Sequence, residues 1–196
     1  MKKNIAIVAG GYSSEYVVSI NSAKTIEEVL DKEKFVPYKI HLAKDGWTYE
    51  KNDKKYNIDR NDFSLELQSE KIKFDCAFII IHGTPGEDGM LQGYFEMLNI
   101  PYTTCDVVTS SLTFNKFFTK SYLRNFGVLT PNAMLLKKGV PVDVNKIINT
   151  TGLPCFIKPN QGGSSFGVTK VTKKEQVKSA VLEALKEDDE VIIESF

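Results

Sequence analysis

The sequence predicts an α/β protein: an open parallel sheet in the first half, followed by a second unit with a different strand and helix pattern. Three observations carry that reading. Ile5–Ala9 is an unbroken apolar run of the kind buried on both faces of a parallel sheet. Val18, Ile20, Ala23, Ile26 and Leu30 then recur at helical spacing, and Phe74–Ile81 is a further buried run. Strand–helix–strand alternation implies right-handed crossovers between parallel neighbours.

The elements follow in order. Gly10-Gly11 ends the first strand, and Ser13 or Ser14 is available to cap the helix behind it. Phe35–Leu42 reads as the second strand, with Pro37 tolerated only near an edge or an end. Gly46–Tyr49 and the polar stretch 51–70 read as a hairpin or an excursion over the surface. A short helix is expected over Gly89–Leu98, and one helix rich in Phe and Lys over Val107–Phe126. Strands are then expected at Ala133–Leu136, Cys155–Lys158, Val168–Val171 and Glu190–Glu194, with helices at Val144–Ile148 and Lys174–Lys186. The pattern changes near Tyr102–Asp106, which divides the chain into domains 1–104 and 105–196. Charge changes there too: 13 basic against 16 acidic residues before the boundary, 12 against 9 after it. An anionic small ligand is thereby directed towards the second half.

Composition removes several classes. With 196 residues, 42% hydrophobic, the chain can bury a proper core. Its 25 basic and 25 acidic side chains cancel, whereas a dedicated nucleic-acid binder needs a basic excess, so no nucleic-acid partner is expected. No apolar run approaches bilayer length, and the stretch after Lys2-Lys3 is too short for a signal peptide, so no membrane is expected either. Cys76, Cys105 and Cys155 are odd in number and far apart, which suggests neither a zinc cage nor a disulfide framework. The compartment implied is cytoplasmic.

Three segments can carry chemistry. Gly10-Gly11-Tyr12-Ser13-Ser14-Glu15 joins the first strand to the first helix, where open α/β folds bind ligands. Glu15 there suits either helix capping or pairing with a substrate ammonium. His82 opens a glycine-rich loop, His82–Gly89, after the buried run, a place that suits a structural or a functional histidine equally. Asp88 suits a helix start, and His41 reads as a strand residue without a task. Lys158 stands beside Gly162-Gly163-Ser164-Ser165, where an ammonium, hydroxyls and free N–H groups would cradle a phosphate, or where a simple turn would join two strands. The order is not that of a P-loop. Lys116 and Lys120, four apart on a helix, read from spacing alone as an ordinary solvated face.

Together the segments resemble the N-terminal part of the D-alanine–D-alanine ligases of the ATP-grasp superfamily. The matching residues are Gly10-Gly11-x-Ser13-x-Glu15-x-x-Val18-Ser19, His82-Gly83-x-x-Gly86-Glu87-Asp88-Gly89-x-x-Gln92-Gly93 and Ile100-Pro101-Tyr102-Thr103. They continue with Lys116-x-x-Thr119-Lys120, Gly152-Leu153-Pro154-x-x-x-Lys158-Pro159, Gly163-Ser164-Ser165-x-Gly167-Val168 and Ile193-Glu194. The resemblance implies a Rossmann-like pre-ATP-grasp domain followed by an incomplete α+β ATP-grasp domain. It implies that D-alanine and ATP are the substrates, with Mg2+ as cofactor and a homodimer as the assembly. Glu15 would orient the α-ammonium of the first D-alanine, Ser164 would help hold it, and His82 would lie by the reacting carboxylate. Lys116 and Lys158 would bind ATP phosphates with Ser164 and Ser165 nearby, and Glu194 would touch the adenine amino group. The reaction implied is phosphorylation of one D-alanine carboxylate and attack on the acyl phosphate by the amine of the second.

The sequence departs from the family at Gly162, where an acidic residue is usual, and at Asn115, where Asp is usual. The closing strand runs to Phe196 without a cap, so the domain is expected to continue in a longer protein. The family's transition-state arginine and magnesium ligands would fall after Phe196, which leaves no metal ligands in this stretch. These 196 residues alone are therefore expected to be inert. Competing readings are another ATP-grasp ligase, a D-alanine–D-lactate ligase, and a noncatalytic nucleotide- or amino-acid-binding module.

Overall fold

The computed structural model describes residues 1–163 and 165–196. The chain forms two compact units, Met1–Ser111 and Leu112–Phe196.

The first unit runs β1 (Lys3–Gly10), α1 (Tyr16–Val29), β2 (Phe35–Ala43), β3 (Gly46–Lys51), β4 (Lys54–Asp59), β5 (Ser64–Leu67), β6 (Glu70–Ile72), β7 (Cys76–Ile79) and α2 (Met90–Met97). Its seven strands form one sheet in the order β6-β5-β4-β3-β2-β1-β7. The parallel part is β2-β1-β7. The stretch expected as a hairpin or surface excursion instead extends that sheet as the antiparallel meander β3–β6. Two-residue turns explain the continuation. Asn52 and Asp53 both take positive φ (51° and 58°), as do Gln68 and Ser69 (52° and 73°), the twist that folds a strand back on its neighbour. Pro37 obeys the edge rule locally, since β3 pairs only with Ile40–Ala43 and leaves Pro37 with β1 alone.

Strand periodicity sends alternate residues of β1 to opposite faces. Ala6 and Val8 join Ile40, Leu42, Phe63 and Phe95 in one core, while Ile5, Ile7 and Ala9 pack on Ala23 of α1 in another. Edge-to-face rings tie the meander to α2: Trp47 to Tyr94 at 5.3 Å and Phe63 to Phe95 at 4.8 Å between centroids.

The second unit begins within α3 (Val107–Phe114) and continues through α4 (Lys116–Arg124), β8 (Ala133–Lys137), α5 (Val144–Thr151), β9 (Cys155–Pro159), β10 (Thr169–Val171), α6 (Val177–Ala184) and β11 (Glu190–Ser195). Its sheet is antiparallel, in the order β10-β9-β11-β8. Ile147 of α5 and Val177, Val181 and Ala184 of α6 bury against Ile157 and Ile193. The single helix expected over Val107–Phe126 is two helices. Asn115 is extended (φ −88°, ψ 104°), and its side-chain oxygen accepts from the Phe118 N–H at 2.9 Å. Asn competes for backbone donors in a helix interior and caps well, so the helix restarts there. The helix expected over Lys174–Lys186 opens with a 3-10 turn at Lys174–Gln176 and closes at Ala184.

Candidate functional site

In the first unit the carboxyl ends of β1 and β7 lie side by side. The chain leaves β1 for β2 on one flank, and β7 takes the other, the topological switch point where open α/β sheets bind ligands. Buried Ser19 on α1 fixes these ends. Its hydroxyl accepts from the Gly10 N–H at 2.9 Å and donates to the Ile80 carbonyl at 2.7 Å. The loops beyond are joined by the Tyr12 N–H on the Thr84 carbonyl (2.8 Å) and the Ser13 hydroxyl on the His82 carbonyl (2.7 Å). Gly10 has φ +101°, and a Cβ there would stand 2.4 Å from the Leu42 carbonyl oxygen, so only glycine fits. The Glu87 carboxylate accepts from the Gly83 N–H at 2.7 Å. Fully buried Gln92 donates to the Gly86 carbonyl at 2.7 Å and to the Thr104 hydroxyl at 2.9 Å. Asp88 accepts from the Met90 N–H and starts α2, as expected.

Glu15 is buried, 8% exposed, at the N-terminus of α1. It occupies the N-cap position of that helix, and its side chain makes no capping hydrogen bond there. His82 is half-buried at the entrance to the glycine loop. His41 lies in β2 between Ala9 of β1 and Thr48 of β3, and burial first, then neighbouring Lys39, holds its imidazole below the ordinary value.

In the second unit the charged residues gather around β9 and β11. Ile192 stands opposite Lys158, so Glu194, two residues on, shares its face of the sheet as a diagonal neighbour. One Glu194 carboxylate oxygen pairs with Lys158 and the other with Lys120 of α4. Burial alone would raise the Glu194 carboxyl, but its hydrogen bonds from Lys120 and Lys158 outweigh that and hold it below the usual range. Lys116 is pushed below its ordinary value by burial first and by neighbouring Lys158 second, with Asp188 and Glu194 pulling the other way. Its ammonium donates to the Gly162 carbonyl at 2.9 Å. Ser165 is exposed at φ +58° in the turn that follows, and Ser164 lies outside the described residues.

Two residues here carry more than their sequence positions suggest. Lys120, read as part of a solvated face, is instead an inward member of the ion cluster, its side chain 18% exposed. Helical spacing cannot reveal which strand a lysine will meet, and the signal available was only its place in the family pattern. Asn160 is fully buried. Its side-chain oxygen accepts from the Phe117 N–H and its amide donates to Glu190, both at 2.9 Å, while its backbone carbonyl accepts from the Lys116 N–H at 3.0 Å. Both family departures fit locally: Asn115 makes the cap that an Asp would make, and Gly162 has φ +108°.

Lysines around one carboxylate suit a polyphosphate beside a base that carries an amino group. Among the described residues no three His, Cys, Asp or Glu side chains come together as metal ligands. These described residues therefore form no cage for Mg2+.

The model of the D-ala D-ala ligase N-terminus matches residues 4–105, and that of the D-ala D-ala ligase C-terminus matches residues 123–196. A D-alanine--D-alanine ligase of Phocaeicola vulgatus is 51% identical over all of this chain and 61% of its own length. One from Flavobacterium johnsoniae is 49% identical over 99% of this chain and 60% of its own. The chain thus spans about three fifths of the curated relatives it matches. Among solved structures, the D-alanyl-alanine synthetase A of Vibrio cholerae superposes with a TM-score of 0.88 at 29% identity, covering all of this chain and 59% of the other. The VanG D-Ala:D-Ser ligase of Enterococcus faecalis gives 0.84 at 32% identity, covering all of this chain and 63% of the other.

Proposed function

We propose that this chain, which belongs to the D-alanine–D-alanine ligase family, supplies the first-substrate loops and part of the nucleotide site of an ATP-dependent ligase that joins two D-alanines for peptidoglycan precursors. Glu15 takes the α-ammonium of the first D-alanine, His82 stands by its carboxylate, and Ser164 helps hold it. Lys116 and Lys158 draw the ATP phosphates, Ser165 lies in the turn beside them, and Glu194 accepts from the adenine amino group. The first carboxylate takes the γ-phosphoryl group, ADP leaves, and the amine of the second D-alanine displaces phosphate from the acyl phosphate. These side chains work by positioning and by charge, so no strong nucleophile of the protein is required.

The observation that carries this reading is the Lys158–Glu194 pair on one face of β9 and β11, at the two family positions for phosphate and base. Domains at 1–104 and 105–196, a homodimer and a cytoplasmic setting belong to the same reading, the last supported by three free cysteines. The test uses the full-length protein with ATP. Phosphate is expected to be released with D-alanine and not with L-alanine, and Lys158→Ala is expected to lower kcat/KM for ATP by about 10²-fold. Equal release with both enantiomers, or none with either, would sink the reading.

A further inference from the structure

Lys120 is assigned no role by the family reading above, yet it is the better buried of the two lysines that flank Glu194. Side-chain exposure is 18% for Lys120, 21% for Lys158 and 10% for Glu194. The carboxylate is shared, with Lys158 on one oxygen and Lys120 on the other. The charged groups that face it are Lys120 from α4 and Lys158 from β9, with Lys116 of α4 next to Lys158, and among the described residues β8 brings only Ala133 opposite Glu194. If Lys158 is drawn onto phosphate, one of the two cations leaves the carboxylate. A buried carboxylate without a cation takes up a proton or turns away. A protonated Glu194 would lose the charge that makes it a strong acceptor for an amino-bearing base and would add a hydroxyl donor that suits a 6-oxo base instead.

We propose that Lys120 is a positioning residue that keeps Glu194 an aimed acceptor once Lys158 engages phosphate, and so sets the preference for a 6-amino over a 6-oxo purine. The idea rests on the nucleotide reading above. Lys120 does not touch the nucleotide in this scheme. It acts through Glu194, and its effect falls on the base rather than on the phosphates.

The test compares the wild type with Lys120→Met, which keeps length and removes charge, and Lys120→Arg, which restores charge. Lys120→Gln serves if the methionine variant does not fold. Two readouts are taken on full-length protein: the titration of the Glu194 carboxyl by 13C NMR without nucleotide, and binding of ATP and GTP from pH 5.5 to 8. The expected result for Lys120→Met is a Glu194 midpoint above that of the wild type and ATP binding weaker by about tenfold, the scale of one charge-assisted hydrogen bond. GTP binding should not weaken, so the ATP-to-GTP preference shrinks by at least the same factor, and the ratio of variant to wild type should worsen as pH falls. Lys120→Arg should recover both. An unchanged titration with an unchanged ATP-to-GTP ratio would assign Lys120 to ordinary packing and overturn the proposal. Absence of ATP preference in the wild type would instead overturn the nucleotide reading, while the titration still decides whether Lys120 holds Glu194.

Discussion

The two units position their candidate residues by different means. In the first, side chains bonded to the backbone set the shape: glycines at positive φ, close strand ends, the Ser13 and Ser19 hydroxyls and the Glu87 carboxylate hold the loops around Glu15 and His82. In the second, contacts between side chains do it: Lys120, Lys158, Glu194, Asn160 and Glu190 hold one another, and the strands mainly supply register. The first design is sensitive to shape and the second to charge.

The largest effect expected is at Gly10. Gly10→Ala forces a side chain into the Leu42 carbonyl at an unfavourable φ and should cost the first unit about 3–5 kcal/mol. Trp47 is the one tryptophan in the sequence and lies in this unit, so its fluorescence during denaturation reports the loss. An unchanged midpoint would break the contrast at its root. Next comes Glu194→Gln, which leaves two inward lysines without their anion and should destabilise the second unit by about 2–3 kcal/mol, read by denaturant unfolding.

Acid is the reversible form of that substitution. The folded Glu194 carboxyl is held below its unfolded value, so its contribution is full above the ordinary carboxylate range and is lost as pH falls through the depressed folded value. Far-UV unfolding curves at a series of pH values should show that loss in the wild type and not in Glu194→Gln. Asn160→Ala removes a buried link between α4 and β11 and should cost about 2 kcal/mol, again by denaturant unfolding. The smallest effect is at the helix break. Asn115→Ala should cost about 1 kcal/mol and Asn115→Asp close to nothing, since only the cap oxygen matters.

The same contrast explains what was legible in the sequence. Glycine pairs, continuous apolar runs and helical spacing are local signals, so β1, α1, β7, α2 and the glycine loops were readable from the residues. The meander was not read as part of the sheet, because polar alternation in 46–72 looks like an exposed excursion unless the turns at Asn52-Asp53 and Gln68-Ser69 are recognised. The break at Asn115 was hidden inside an apolar pattern that continues across it. Lys120, Asn160 and Ser19 stayed silent because their partners are brought in by strand register or from distant loops, which spacing does not encode. The roles of Glu15, His82 and Ser164 came from the resemblance, not from the physics of single residues.

One feature of the first sheet bears on how that unit comes to exist. The meander joins neighbours in sequence and closes through tight turns, whereas β7 must insert beside β1 across a long separation, with Asn4 meeting Asp75 71 residues away. Short-range hairpins form before such a distant closure on entropic grounds. Amides of β3 and β4 should therefore gain protection in pulse-labelled refolding ahead of Ile80, and the joined loops that carry Glu15 and His82 should be the last part of the unit to be born.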